Sequence, residues 1–147
     1  MPFLQIDHAS KSFPSHTGEG EVCIFNDVTI KIEQGEFVTV IGHSGCGKST
    51  LLNIIAGLDT ASEGGVILEG KEVVGPGLDR MVVFQNFSLM PWMTVFENIA
   101  LAVRSAYPGW TQTQVADHVN KYIALVGLKG AETKRPTALS GGMKQRV

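Results

Sequence analysis

Eight residues, Gly42-His43-Ser44-Gly45-Cys46-Gly47-Lys48-Ser49, carry the densest chemistry in this chain, with the hydroxyl of Thr50 directly after them. They satisfy the spacing G-x-x-x-x-G-K-[ST]. Glycines let successive backbone N–H groups turn inward and form a nest for an anion. A helix beginning at Lys48 would add its N-terminal partial charge, roughly half an elementary charge, at the same spot. Lys48 is a point charge suited to β- and γ-phosphates, and the Ser49 hydroxyl is an oxygen ligand suited to Mg²⁺ bridging them. The pattern predicts a site for a nucleoside triphosphate with Mg²⁺.

Such a loop needs a strand before it and a helix after it, and the flanking sequence supplies both patterns. "FVTVI", Phe37 to Ile41, is a short apolar run that predicts a buried strand. "KSTLLNIIAGL" repeats apolar residues at helical spacing through Leu51, Leu52, Ile54, Ile55 and Leu58, with Gly57 as the stop. Upstream, "FLQIDHASKSF" and Val28/Ile30/Ile32 alternate as strands, and the two predict an antiparallel pair. Downstream, "GGVILEGKEV" predicts a hairpin, "GPGLDR" a turn, and "MVVFQ" a continuous apolar strand of a parallel sheet. "TVFENIALAV" reads as helix. In "TQTQVADHVNKYIALVGL", Thr111 and Gln114 form a capping-box pattern, Val115, Val119, Tyr122, Ile123 and Val126 share one face, and Gly127 suits the end. The β-rich first half and helical second half predict an α/β fold with a helical subdomain inserted in it.

Bulk properties exclude several classes. The chain has 147 residues, 44% hydrophobic and 18% charged, as a folded domain should. Its net charge of −2 and sequence pI of about 6.1 give no attraction for phosphate backbones, so nucleic acid is not an expected partner. Its apolar runs fall far short of the roughly 20 residues that span a bilayer, and no leader pattern opens the chain. Cys23 and Cys46 lack metal-ligand spacing and read as small buried or loop thiols. His8, His16 and His118 share no metal-ligand spacing either and suit surface or strand-end roles, while His43 is expected to face solvent.

Further motifs follow in a fixed order, and with them the chain resembles the ATP-binding subunits of ABC transporters over about Phe3 to Val147. Phe13 in "SKSFP" stands where that family places the aromatic ring that stacks on adenine, although a strand-end phenylalanine would equally suit a core. Gln85 in "VVFQNFSLMPWMTVFEN" matches the Q-loop glutamine, which the resemblance implies reaches Mg²⁺ and the attacking water; a neutral amide orients water without trapping its proton. "LSGGMKQR", Leu139 to Arg146, resembles the signature "LSGGQ", with Met143 in place of the glutamine. Ser140, Gly141 and Gly142 would then begin a helix facing an anion.

The resemblance implies a P-loop nucleoside triphosphatase core with an antiparallel β subdomain and a helical subdomain. The expected partition is residues 1–85 as the β-rich core, 86–140 as Q-loop and helical subdomain, and 139–147 as signature. It implies ATP and Mg²⁺ as cofactors and a head-to-tail dimer of identical or related subunits. It also implies an integral membrane permease, indirectly a solute-binding protein, and a peripheral place on the cytoplasmic face of the plasma membrane. Phe87, Leu89, Met90, Trp92 and Met93 would line a groove for a coupling helix of the permease, about half of them being core instead. "GHSGCGKSTLLN", "GPGLDRMVVFQNFSLMPWMTVFENIALAV" and "LSGGMKQRV" look most like importers of nitrate, nitrite or cyanate, with His43 favouring nitrate. Sulfonate, taurine or bicarbonate importers, an ABC ATPase of DNA repair, and a P-loop GTPase or kinase are the alternatives. A repair ATPase usually carries a coiled coil between phosphate loop and signature, where this chain has about 90 residues without heptads. The Walker B aspartate, catalytic glutamate, D-loop and switch histidine of the family do not occur before Val147. The expectation is a partial sequence, in which nucleotide binding would be retained and hydrolysis nearly absent, because general-base help contributes about 10²–10⁴-fold.

Overall fold

The computed structural model describes residues 1–15 and 18–147, so His16 lies outside the described residues. In chain order the elements are β1 (Leu4–Pro14), β2 (Glu21–Ile32), α1 (Lys48–Ala56), β3 (Glu63–Leu68), β4 (Lys71–Glu72), α2 (Val95–Ala106), α3 (Gln112–Leu125), a 3-10 turn (Pro136–Ala138) and α4 (Gly141–Arg146). The chain forms two compact units, Met1–Val82 and Val83–Val147.

In the first unit an antiparallel sheet runs in the order β2-β1-β3-β4. The expected antiparallel pair is present, with Leu4 opposite Ile32 and Phe13 opposite Val22. Its register slips between Ile6 and Ala9, a bulge that bends the pair. His8 and Asp27 both take left-handed backbone there, and their side chains meet at 2.5 Å. The carboxylate of Asp27 holds the His8 imidazole pKa above its ordinary value, mainly through this hydrogen bond. The expected hairpin forms as β3 and β4, turning through Glu69 and Gly70, both left-handed, as a two-residue hairpin requires. α1 lays Leu51 and Ile54 against Ile6, Ala9 and Val66, making one apolar core. Leu52 and Leu58, assigned by periodicity to the same face, are exposed: α1 packs along a narrower stripe than the run of leucines suggests.

Two expected strands do not form. Residues 37–41 and 81–85 hold no strand, and Phe37, Ile41, Met81 and Val83 are almost fully exposed. A continuous apolar strand is stable only when neighbours satisfy its ladder and layers cover both faces, and the described residues supply no such neighbours. Cys23 departs from expectation as well, being an exposed residue of β2, whereas Cys46 is a half-buried loop residue.

The second unit is helical. α2 starts at a full capping box, Thr94 with Glu97, and α3 at the box expected from Thr111 and Gln114. The Val95 and Phe96 N–H groups donate to the carbonyls of Lys134 (2.9 Å) and Glu132 (3.0 Å), satisfying donors that a helix start leaves unpaired. Val95, Ala100 and Val103 of α2 pack with Val115, Val119 and Ile123 of α3 and with Leu128 and Leu139. Tyr122 is the exception on the α3 face: it is exposed, beside His118, which in turn abuts Trp110. The phenolic hydroxyl favours water, and its ring finds cover among other aromatic side chains at the surface. Of the five expected groove residues only Trp92 is exposed, and the other four are half-buried.

Candidate nucleotide-binding site

The candidate phosphate loop follows directly on the apolar run 37–41 and ends at Gly47, the N-cap of α1. Gly47 has φ 91°, a left-handed conformation, and a Cβ there would lie 2.8 Å from the Ile24 side chain. A Cβ on Gly42 would lie 2.6 Å from Cys46 Sγ. Gly47 needs glycine for the loop to keep this curve, while at Gly42 an added side chain would have to displace the Cys46 sulfur. The helix itself supplies no side-chain cap and no acidic residue in its first turn, so its leading N–H groups stay available to an anion.

Lys48 lies across the loop. Its ammonium donates to the carbonyls of Gly42 (2.9 Å) and His43 (2.7 Å) and contacts Cys46 Sγ at 3.6 Å. The cation is therefore already held against the loop, by neutral acceptors that a phosphate could replace with a stronger charge-assisted bond. Ser49 is exposed on the first turn of α1 and Thr50 half-buried behind it. The Ser49 hydroxyl is a hard oxygen donor, which fits Mg²⁺ chemically. Ser44 and Gly45 are exposed, and His43 faces solvent with its ring nitrogen Nδ1 2.8 Å from the Ser44 carbonyl.

Phe13 belongs to the same unit. Its ring is 42% exposed at the end of β1, with its register partner Val22 two residues from the Ile24 that abuts Gly47. One hairpin thus carries the aromatic ring and backs the phosphate loop. Beneath the ring lies the ammonium of Lys11, 4.7 Å from the centroid.

Gln85 and the signature residues belong to the second unit. Gln85 is exposed in a turn, followed by Phe87 and Ser88 in left-handed backbone, φ 59° and 51°. Such consecutive non-glycine residues cost on the order of 1–3 kcal/mol each and persist only where surroundings enforce them. Asn98 ties the segment that follows to the start of α2. It accepts from the Met90 N–H (2.8 Å) and donates to the carbonyls of Met93 (3.2 Å) and Thr94 (2.9 Å). Ser140 caps α4, accepting from the Met143 N–H at 3.3 Å, and Ser140, Gly141 and Gly142 are all exposed. Leu139 anchors this start in the core, and Arg146 donates to the Val126 carbonyl at 2.9 Å, tying down its end.

Lys11, Asn98 and Arg80 were not legible as site residues. Arg80 donates to the carbonyls of Ala56 (3.2 Å) and Gly75 (2.6 Å), closing the C-terminal end of α1 where a cation is favoured. Each of the three acts through backbone carbonyls or partners far along the chain, and no local pattern marks such a role.

Comparison with known proteins agrees with this geometry. The family model described as ABC transporter matches residues 25–147. The nitrate import ATP-binding protein NrtC of Synechocystis sp. is 55% identical over all of this chain and 22% of its own length. The nitrate import ATP-binding protein NrtD of Synechococcus elongatus is 51% identical over 99% of this chain and 52% of its own length. The bicarbonate transport ATP-binding protein CmpC of Synechocystis sp. is 54% identical over 99% of this chain, and 22% of that protein is covered. The chain thus spans from about a fifth to half of these relatives. Among solved structures, the dimeric ATP-binding cassette MJ0796, bound to ADP and Pi in a post-hydrolysis state, superposes with a TM-score of 0.81 at 30% identity, over 97% of this chain and 66% of that one. The α/β cassette fold expected from the motifs is the fold observed, and this chain belongs to the ABC transporter family.

Proposed function

We propose that the full protein is the ATP-binding, energy-coupling subunit of an ABC importer, hydrolysing ATP in a dimer to drive uptake of a small anion, nitrate foremost. The observation that carries this reading is the uncapped start of α1 with Lys48 held over it, in a chain up to 55% identical to nitrate import ATP-binding proteins. The N–H groups of Gly45 to Ser49 bind the phosphates, and Lys48 exchanges its two carbonyl acceptors for phosphate oxygens. Phe13 seats the base. The Ser49 hydroxyl would hold Mg²⁺, the resemblance gives the Gln85 amide the role of a further Mg²⁺ contact, and the ion would neutralise charge developing on the transferred phosphoryl group. Gln85 orients the attacking water through its amide, and Ser140, Gly141 and Gly142 present N–H groups to the nucleotide of the other subunit of the dimer.

The partners follow from this role: an identical or related ATP-binding subunit, an integral permease, and through it a solute-binding protein. No helix among the described residues is long and apolar enough to cross a membrane, so the permease would hold the subunit on the cytoplasmic face. Bicarbonate is the second reading, favoured by the 54% identity to CmpC. An ATPase subunit does not touch the solute, so none of the site residues chooses between the two. Uptake of labelled nitrate by vesicles holding the full protein and its permease tests the proposal. Nitrate entry that requires ATP and is lost in Lys48→Ala supports it, and ATP-driven entry of bicarbonate instead of nitrate would replace the solute.

A further inference from the structure

Lys11 is a charged residue placed as a core residue, only 7% exposed. An ammonium taken from water must find partners for its protons, and Lys11 finds three. It donates to Asp59 Oδ1 and to the Thr60 carbonyl, both at 2.7 Å, and it sits 4.7 Å from the centre of the Phe13 ring. The ion pair holds the Asp59 carboxyl below its ordinary pKa, and the same oxygen accepts from the Thr60 N–H at 2.7 Å. The Asp59 N–H in turn reaches the Asn53 carbonyl inside α1, at 3.3 Å. One amine therefore touches both the aromatic ring at the end of β1 and the loop that closes α1, whose other end is the phosphate cradle.

We infer that Lys11 is a positioning residue for the nucleotide base, fixing the Phe13 ring relative to α1. The inference rests on Phe13 being the seat of the base. Two physical effects act together. Charge ties the ring's strand to the far end of α1, so the spacing between base seat and cradle is set before nucleotide arrives, and less order has to be imposed on binding. The cation also draws π density toward the ring face it occupies. The remaining exposed surface is thereby left electron-poorer, which suits stacking with an electron-rich purine. The Lys11 ammonium is committed to Asp59, the Thr60 carbonyl and the Phe13 ring, so its contribution belongs to the base alone.

The experiment compares dissociation constants of the full protein for Mg·ATP and for inorganic tripolyphosphate, which has the charge of the phosphate chain but no base. Lys11→Met should weaken ATP binding about 3- to 10-fold and leave tripolyphosphate unchanged. Phe13→Ala should give the same split with a loss of about 10-fold, and the double variant should lose no more than Phe13→Ala alone. Lys11→Met weakening both ligands in proportion, or neither, while Phe13→Ala keeps its split, overturns the role of Lys11 and leaves the base seat standing. Phe13→Ala without effect on ATP overturns the base seat and this inference with it. If Lys11→Met does not fold, Asp59→Asn decides: it leaves the lysine its Thr60 carbonyl but frees it to shift, and the same split is expected. A proportionate loss of both ligands, or none, overturns the role.

Discussion

Lys48 is bound to its own loop, and this sets what a triphosphate must do to recruit it. In the proposed site, two neutral carbonyls at 2.9 and 2.7 Å would give way to charged oxygens, an exchange that favours the ligand because charge-assisted hydrogen bonds are about twice as strong. Lys48→Ala should therefore lower ATP affinity by roughly 10- to 100-fold, read by calorimetric titration, and an unchanged affinity would remove the cradle assignment. Gly42 offers a sharper test. A methyl there meets Cys46 Sγ at 2.6 Å, so Gly42→Ala should distort the loop and weaken ATP binding, and removing the sulfur in Gly42→Ala/Cys46→Ala should restore part of it. At this scale the glycine, lysine and hydroxyl pattern was readable because each requirement lies within eight consecutive residues. Lys11 was not, since its partner Asp59 is 48 residues away and a lone lysine in a strand reads as a solvated one.

Helix ends are the best-encoded elements. The Thr111 and Gln114 pattern became a reciprocal cap, and Thr94 with Glu97 formed a second box at the start of α2. Thr94→Ala should cost about 1 kcal/mol, seen as a lowered melting temperature of the full protein. The hydrogen bonds from the Thr94 backbone and side chain hold the Glu97 carboxyl below its ordinary pKa. A depressed carboxylate stabilises the fold above its unfolded pKa, and that support is lost as pH falls through the folded value. Glu97→Gln should accordingly flatten part of the acid limb of a stability-versus-pH curve; an acid limb unchanged from the parent protein would show that the carboxylate contributes nothing there. The two apolar runs, 37–41 and 81–85, show the opposite case: period and composition predicted strands that do not form, because a strand exists only once another pairs with it.

For the whole molecule, the proposed dimer sets the scale at which the signature residues are tested. The α4 start is capped by its own Ser140 hydroxyl, and Leu139 and Met143 pack it to the helical core, leaving the Ser140-Gly141-Gly142 edge exposed, where the proposed dimer would place the second subunit's nucleotide. Ser140→Arg should leave ATP binding to the monomer intact and block ATP-dependent dimerisation of the full protein, measured by light scattering. A dimer formed as readily as by the parent protein would refute the sandwich.

The residue pattern alone determined the glycine loop that opens α1, the antiparallel β1–β2 pair, the β3–β4 hairpin and the helices that follow, because spacing, caps and turn residues act over a few neighbouring positions. Tertiary structure decided the rest. Whether Phe37 to Ile41 becomes a strand depends on neighbours, and whether Tyr122 enters the core depends on what packs beside it. Lys11 lies beneath Phe13 because sheet pairing and the closing loop of α1 brought an amine, a carboxylate and a ring to one place. Burial makes that meeting consequential, since a cation removed from water is held only by the partners that the fold provides.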